Sequence, residues 1–181
     1  MKMKLITKSL LVLALLFSMS VSAQQKKLSF LSSVQYGTQP DNLSVLISDN
    51  VKDIGDLAAV NAATWIDITK EFKLAKDKEP SASGGVSLNK YIKNGNPLYI
   101  AFRYLGDAAA KPSQRNWVVK DISVSKDKQA TVIPVTDLTV LNSPKNNEGA
   151  GWRINKNNNS IGFVSNRSLI KSESWAVIKI D

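Results

Sequence analysis

The fold is decided by the segments LSVLISDN (43–50), AATWIDIT (62–69), SGGVSLNKYIKNGNPLYIAFRYLG (83–106) and NWVVKDISVS (116–125). In the first segment the apolar residues Leu43, Val45 and Ile47 alternate with Ser44, Leu46 and Ser48, and in LYIAFRYL (98–105) two sets of side chains alternate. Alternation with a period of two places successive side chains on opposite faces of a β-strand. Glycine, proline and asparagine separate these runs, as turns require. These segments therefore predict short strands joined by turns.

The same pattern extends to both sides of these segments. Further strands are predicted near 28–34, 131–141, 151–154, 161–165 and 174–180, the second of them broken by Pro134. A helical turn is predicted only within 53–63, where Asp56 is well placed as its N-cap. Many short strands with almost no helical periodicity predict an all-β fold, a jelly-roll β-sandwich with one short helical turn.

Composition excludes several classes of site. The chain has 181 residues and contains no cysteine and no histidine. It therefore cannot build a Ser-His-Asp triad, a Cys-His dyad or a histidine-based zinc site. Its formal net charge of +9 has two explanations: it favours anionic partners, or it serves solubility alone. The basic residues are scattered along the chain, so nucleic acid is not predicted as a partner.

Residues 1–23 read as a signal peptide. Lys2, Lys4 and Lys8 precede the apolar run LLVLALLF (10–17), and Val21–Ala23 provides a small-residue cleavage site. The apolar run is shorter than the roughly 20 residues that span a bilayer, so no membrane span is expected. Because no cysteine follows, no lipid anchor is expected. Residues 24–181 are predicted to be one exported domain, periplasmic or extracellular.

The ordered set LSFLSSVQYG (28–37), DNLSVLIS (41–48), AATWIDITKEF (62–72), SGGVSLNKYI (83–92), PLYIAFRY (97–104) and NWVVKDISV (116–124) resembles a domain of unknown function found in exported proteins of Bacteroidota. That domain is similar to galactose-binding-like jelly rolls and to adhesin modules. The resemblance implies surface proteins, often lipoproteins, encoded beside polysaccharide-uptake systems. This chain lacks the lipidated cysteine and the immunoglobulin-like segment that members commonly carry. The family implies no catalytic residues.

Four tryptophans at 65, 117, 152 and 175 have two interpretations. Exposed aromatic rings stack on the C–H faces of sugars, whereas buried rings fill the space between sheets. Trp117 is the best sugar platform because it follows a loop, and Arg115 and Asn116 beside it are expected to bind hydroxyls or a uronate carboxylate. Core packing is nevertheless favoured for Trp117, as for residues 65 and 175. Trp152 remains open between the two roles.

A second candidate surface depends on how the strands pair. If the strand after Pro97 pairs with the strand of Trp117, then Tyr99, Arg103 and Asp121 share one sheet face. They would form a concave polar binding face, or a solvated face with a cross-strand ion pair worth under about 1 kcal/mol.

Carboxylates suggest two further roles. Asp49, Asn50, Asp53 and Asp56 crowd one loop, and calcium prefers oxygen ligands, so a structural calcium ion is considered there. No other cofactor is expected. Paired carboxylates for hydrolysis would have to come from the glutamates at 71, 79, 148 and 173, which no spacing in the sequence brings together.

The sequence therefore predicts a non-catalytic exported binding module, with a polysaccharide, an anionic glycan or a cell-surface molecule as its ligand. The alternative is a structural or adhesive subunit that docks onto another envelope protein through a sheet face or edge. A small carboxylate-dependent hydrolase is the third hypothesis. The candidate ligand-binding residues are Tyr99, Arg103, Arg115, Asn116, Trp117 and Trp152.

Overall fold

A computed structural model describes residues 25–93, 95–127, 129–144, 150–165 and 171–180 of the chain. The expected signal peptide lies outside these residues. Twelve strands occur within the described ranges: β1 Lys26–Gln35, β2 Leu43–Ser48, β3 Ile66–Asp67, β4 Ser81–Ala82, β5 Val86–Ser87, β6 Leu98–Asp107, β7 Asn116–Lys126, β8 Gln129–Val132, β9 Thr139–Asn142, β10 Gly151–Asn155, β11 Ser160–Val164 and β12 Lys171–Ile180. One α-helix, α1, spans Leu57–Ala62.

The strands form two antiparallel sheets. The β1 sheet has the order β10-β11-β7-β1-β4, with β5 also on β1 and β8 also on β7. The β6 sheet has the order β3-β2-β6-β12-β9. The predicted all-β sandwich with one short helical turn is confirmed. The strand of LYIAFRYL and the strand of NWVVKDISVS lie in different sheets, because β6 pairs with β2 and β12 while β7 pairs with β1, β11 and β8.

The core lies between the inward faces of both sheets. On β6 it takes every second residue, Leu98, Ile100, Phe102 and Tyr104, each at most 5% exposed. This is the face that the alternation in LYIAFRYL predicts. Phe30 of β1 meets Phe102 edge to face, with 5.2 Å between the ring centroids. Burial of these apolar side chains is the main stabilising contribution to the sandwich.

A bulge in β7 changes which of its residues face the core. Ser29 pairs with Ser123 and Leu31 with Lys120, so β7 carries one residue more than β1 between these pairs. Asp121 lies at this point with φ +50°. An extra residue reverses the alternation of a strand. Uninterrupted alternation would put Val118, Ile122 and Val124 on one face, but the bulge leaves Ile122 and Val124 facing the core and puts Val118 on the outer face.

A smaller apolar cluster covers the outer face of the β6 sheet. Tyr99, Ala101 and Trp175 on the strands pack with Val60 of α1. The helix begins as predicted at Asp56, whose side chain accepts a hydrogen bond from the Ala58 N–H at 2.9 Å. The helix therefore shields this outer face from water.

The segment after Trp65 differs from the predicted strands. Only Ile66–Asp67 is extended, and Thr69–Glu71 forms a 3-10 turn. Thr69 favours this turn because its hydroxyl accepts from the Val45 N–H at 2.8 Å and its own N–H donates to Asp67 Oδ1 at 2.8 Å. Side-chain bonds to the backbone thus replace the ladder that a longer strand would have made.

The Glu71 carboxylate gives a prediction on pH. It accepts from Lys90 Nζ and from the Tyr91 hydroxyl, both at 2.7 Å, and the Lys90 hydrogen bond holds the Glu71 pKa below its ordinary value of 4.5. Because the Glu71 pKa is lower in the folded chain than in the unfolded chain, the ionised carboxylate stabilises the fold at any pH above its unfolded pKa. This stabilisation is lost as the pH falls through the pKa of the folded chain. Glu71→Gln should therefore cost up to about 1 kcal/mol at neutral pH and nothing in strong acid. Urea unfolding of the unmodified chain and of Glu71→Gln, from strong acid to neutral pH, measures the difference between their free energies of unfolding. A difference that does not change with pH would contradict the hydrogen bonds assigned to Glu71.

Candidate functional site

One end of the sandwich carries two clefts separated by an exposed tyrosine. The loop after β1 begins with Tyr36 and Gly37, and faces the loop between β6 and β7. The first cleft has a volume of about 720 Å³, and its lining comprises Tyr36, Gly37, Ala108, Ser113, Gln114, Asn116 and Ser165. The second has a volume of about 510 Å³, and its lining includes Tyr36, Thr38, Lys76, Asp77, Lys78 and Arg115. We call this end of the sandwich the Tyr36 rim.

Tyr36 has an unusual conformation for its residue type. The residue is 75% exposed, and its φ is +58°. Left-handed backbone is uncommon for bulky residues, and strained conformations gather at functional sites. Neither the strain nor the exposed ring stabilises the sandwich, so Tyr36 is the first residue of the rim to examine for a function.

Buried amides connect the two loops of the rim. Gln39 Nε2 donates to the Asp107 carbonyl at 2.8 Å, and Asn42 Nδ2 donates to Gln39 Oε1 at 2.7 Å. Asn42 Oδ1 in turn accepts from the Arg115 N–H at 3.1 Å. Gln39 and Asn42 are 8% and 2% exposed. Because satisfied buried polar networks rigidify their surroundings, the rim is held in one arrangement.

Gly37 lets the loops approach at their closest point. The Ser113 carbonyl accepts from the Thr38 N–H at 3.0 Å and from the Gln39 N–H at 2.9 Å. A Cβ at Gly37 would lie 2.1 Å from the Gln114 carbonyl oxygen and 2.3 Å from the Ser113 carbonyl oxygen, and its φ is +53°. Only glycine fits here.

Tyr104 supports the floor of the rim from the core side. Its hydroxyl donates to the Arg115 carbonyl at 2.8 Å, and burial raises the Tyr104 pKa above its usual value. Gln114 is oriented so that its amide oxygen accepts from the Ala108 N–H at 2.6 Å. Tyr104 therefore stays neutral and acts as a fixed hydrogen-bond donor under the loop.

The structure brings Arg115 and Asn116 to this rim. Asn116 lines the first cleft and Arg115 the second. Asn116 Oδ1 accepts from the Ser165 N–H at 3.0 Å and from its hydroxyl at 2.6 Å, which leaves the amide nitrogen of Asn116 as the group that can donate to a ligand. The binding role of both residues stays a prediction.

Three of the four tryptophans are buried. Trp117 is 5% exposed, and Trp152 and Trp175 are 2% and 3% exposed. The β7 bulge explains Trp117, because it turns that residue inwards together with Val119. Trp65 is half-buried, lies 5.4 Å from Trp175 between ring centroids and donates from Nε1 to the Val60 carbonyl at 2.8 Å. Core packing, favoured for Trp117 from the sequence, is what the structure shows.

Trp152, left open by the sequence, also belongs to the core. Its Nε1–H donates to the Phe102 carbonyl at 3.1 Å, and its ring meets Tyr104 and Phe163 edge to face. Tyr104 and Phe163 stack at 3.4 Å between centroids. Trp152 therefore joins the two sheets.

The predicted face of Tyr99, Arg103 and Asp121 does not form. That face required the strand after Pro97 to pair with the strand of Trp117, and this pairing was wrong because β6 and β7 lie in different sheets. Tyr99 is 9% exposed within the cluster under α1. Arg103 donates to Glu173 Oε1 from Nη2 at 2.6 Å, and its guanidinium lies 4.9 Å from the Trp175 ring centre. Arg103 and Tyr99 thus lie on the outer face of the β6 sheet, away from the Tyr36 rim.

The acidic loop considered for calcium has other partners. Asp49 Oδ2 accepts from Lys93 Nζ at 2.6 Å, which lowers the Asp49 pKa. Asp53 bonds the Gly55 N–H, Asp56 caps α1, and Asn50 Oδ1 accepts from the Thr64 N–H. Within the described ranges no three acidic side chains converge on one point.

The glutamates considered for hydrolysis are also separated. Glu71 is bonded to Lys90 and Tyr91, and Glu173 to Arg103. Glu148 lies outside the described residues. Neither described cleft of the Tyr36 rim has a glutamate in its lining.

Sequence reasoning missed Tyr36 as a site residue. The signal was the dipeptide Tyr36-Gly37 at the end of a strand and before a turn. In the sequence Tyr36 continues the alternation of Leu28, Phe30 and Val34 and would face the core, yet the structure exposes both Gln35 and Tyr36. The sequence therefore offered a turn beside an aromatic residue but no sign that its side chain is exposed.

Comparison with known proteins identifies a family without identifying an activity. No curated protein matches the chain, and no solved structure does. Of the helices in the described ranges, none has the length and apolar character that crossing a bilayer needs. The model of a family described as a domain of unknown function, DUF5017, matches residues 18–142 and so includes the Tyr36–Asn116 part of the rim. The chain belongs to this DUF5017 family.

Proposed function

We propose that the protein is a non-catalytic, exported module that binds polysaccharide at the Tyr36 rim. The observation that carries this proposal is Tyr36, an aromatic residue that is 75% exposed and lines two clefts. A flat aromatic ring in water is the surface on which the C–H face of a sugar packs. The strained φ of Tyr36 adds support, since strain is retained where a conformation is used.

The groups around the ring suit sugar hydroxyls. The first cleft offers the amide of Asn116 and the hydroxyls of Ser113 and Ser165. Amides and hydroxyls both donate and accept, as hydroxyl-rich ligands require. Because the buried amides hold both loops in place, little ordering would be needed on binding.

The charge around the second cleft favours an acidic glycan. Lys76, Lys78 and Arg115 line it together with one carboxylate, Asp77. An arginine can bind a uronate carboxylate through two parallel hydrogen bonds, and lysines add attraction that falls with salt. We therefore expect uronate-containing polysaccharide to bind more tightly than neutral polysaccharide.

The proposal includes no chemistry. The chain has no histidine or cysteine to act as a nucleophile or base. The described lining of the Tyr36 rim presents amides, hydroxyls and cations with the Asp77 carboxylate, whereas glycoside hydrolysis ordinarily uses a pair of carboxylates. The leader-like residues 1–23 support export.

Calorimetric titration with polygalacturonate tests the site. Tyr36→Asn removes the aromatic ring and introduces a residue that tolerates a left-handed backbone, whereas Tyr36→Phe keeps the ring. We expect Tyr36→Asn to weaken binding about tenfold or more, corresponding to about 1.4 kcal/mol. Tyr36→Phe should bind nearly as the unmodified chain does. Equal binding by both variants, or no heat with any acidic or neutral polysaccharide, would reject the proposal.

Docking onto an envelope protein is the second candidate, favoured by the open edge of β8. All four residues of Gln129–Val132 are exposed, and within the described residues the strand pairs only with β7. Val132 is 53% exposed. An exposed strand edge can pair with a strand of another protein. Ala130→Pro should abolish a complex that uses this edge and leave polygalacturonate binding unchanged.

A further inference from the structure

A groove crosses the outer face of the β1 sheet beside the Tyr36 rim. Its volume is about 550 Å³, and its lining comprises Val118, Arg153, Ile154, Asn155, Lys156, Asn157, Asn158, Ser160, Gly162 and Val164. These residues come from β7, β10, β11 and the turn between the last two. The groove therefore follows the face of the sheet, unlike the two clefts between loops.

Gly162 creates the floor of this groove. Arg153 pairs with Gly162, and Gly162 pairs with Val118, so these three residues form a row across the strands. A Cβ at Gly162 would meet only Val118 Cγ2, at 3.9 Å. Glycine weakens a strand interior and often marks a close approach to a ligand or another backbone. Here the space above Gly162 opens to solvent.

The sides of the groove are amides and cations. Asn155, Asn157 and Asn158 supply amide groups, and Arg153 and Lys156 supply positive charge. Among the described residues, no acidic side chain is part of its lining. Lys120 lies in the next row, opposite Ser160, with Nζ 3.4 Å from Asp121. The groove thus has the same chemistry as the rim: polar hydrogen-bonding groups with a basic surplus.

The groove and the first cleft of the rim meet at Asn116 and Ser165. Val118 in the groove lies two residues after Asn116 on the same outer face of β7. Val164 in the groove directly precedes Ser165 in the cleft, and Ser165 is hydrogen-bonded to Asn116. From Asn116 to Lys120 the strand extends about 13 Å at about 3.3 Å per residue. The rim and the groove are therefore adjacent along β7 and β11, with Val118, Gly162 and Val164 between the polar groups of the rim and those of the turn between β10 and β11.

We infer that the protein binds an internal stretch of an extended acidic polysaccharide, which runs from Tyr36 across Gly162 to Arg153 and Lys156. This inference rests on the proposed function and names the form of its ligand. A single terminal sugar would fill only the rim. A linear chain that continues past Asn116 meets further amides and cations on the sheet face.

Titration with galacturonate dimer and octamer tests the path. We expect the octamer to bind the unmodified chain about tenfold or more tightly than the dimer. Gly162→Leu fills the groove and should remove this gain while leaving the dimer affinity unchanged. Gly162→Ser, a small polar replacement on an open face, should keep most of the gain. Tyr36→Asn should weaken both oligomers.

The outcomes separate the two proposals. Equal affinity for dimer and octamer, or a gain that persists in Gly162→Leu, overturns the groove and leaves the rim in place. An octamer also gains affinity over a dimer simply because it offers more positions at which the rim can bind. This statistical gain in affinity would persist in Gly162→Leu, whereas a gain from the groove would not. If Gly162→Leu fails to fold, Lys156→Gln on the exposed turn replaces it. We expect Lys156→Gln to lower the affinity for the octamer several-fold, and an unchanged affinity would contradict the groove. Absence of binding by both oligomers overturns the rim as well.

Discussion

Replacing Trp152 by alanine is expected to destabilise the fold by about 3–5 kcal/mol, which is typical of a large buried aromatic side chain. Trp152 is 2% exposed and packs against Tyr104 and Phe163, and its Nε1–H bonds the Phe102 carbonyl at 3.1 Å. The variant loses contacts with both sheets together and leaves a cavity between them. Denaturant unfolding monitored by circular dichroism measures this loss.

Two variants show whether the effect comes from the core position. Trp152→Phe keeps most of the ring and loses the hydrogen bond, so we expect a cost of about 1–3 kcal/mol. Trp65→Ala removes a half-buried tryptophan from the cluster under α1 and should cost less than Trp152→Ala. A change below about 1 kcal/mol in Trp152→Ala would contradict the buried placement of this residue.

Replacing Gly37 by alanine is the second large effect, with an expected cost of about 3 kcal/mol or more. Left-handed backbone costs a non-glycine residue about 1–2 kcal/mol. The rest arises because the new Cβ would lie 2.1 Å and 2.3 Å from the carbonyl oxygens of Gln114 and Ser113. These atoms are backbone, so relief requires the two loops of the rim to separate.

Gly84→Ala is the matched control for Gly37→Ala. Gly84 has φ +78°, and a Cβ there would meet nothing within 4 Å. The control therefore carries the backbone strain without the collision, and about 1–2 kcal/mol is expected. Gly37→Ala should also lose polygalacturonate binding, whereas Gly84→Ala should retain it. Equal stability and equal binding in the two variants would show that the loops do not meet at Gly37.

Alternation along the strands predicted the fold well because most strands follow it. The two faces of β6 are as the sequence indicated: Leu98, Ile100, Phe102 and Tyr104 point to the core, and Tyr99 and Ala101 pack under α1. The N-cap at Asp56 was predicted for a local reason, since capping depends on nearby residues alone.

The failures have non-local causes. The bulge at Asp121 depends on the register between β1 and β7, and no glycine marks it in the sequence. Without the bulge, Trp117 would face outwards beside Arg115 and Asn116, where it was considered as a sugar platform. The pairing of β6 with β12 joins residues distant in sequence, so the partner of Arg103 is Glu173 and not Asp121.

The candidate site was predicted in part. The sequence singled out Arg115 and Asn116 because they lie where a loop enters a strand, and the structure places both at the rim of the sandwich, while their binding role stays a prediction. Tyr36 was not found because its exposure arises from the left-handed turn Tyr36-Gly37. The Gly162 groove was not found because a glycine within a strand gives no sign of which face it opens.

Nuclear magnetic resonance of the isotopically labelled protein during titration with galacturonate octamer tests binding at the Tyr36 rim directly. We expect shifts of the backbone amide signals at Tyr36, Gly37 and the residues 113–116, with a second group at residues 153–156 and 162. Shifts confined to other surfaces, or no shifts at saturating octamer, would contradict binding at the Tyr36 rim.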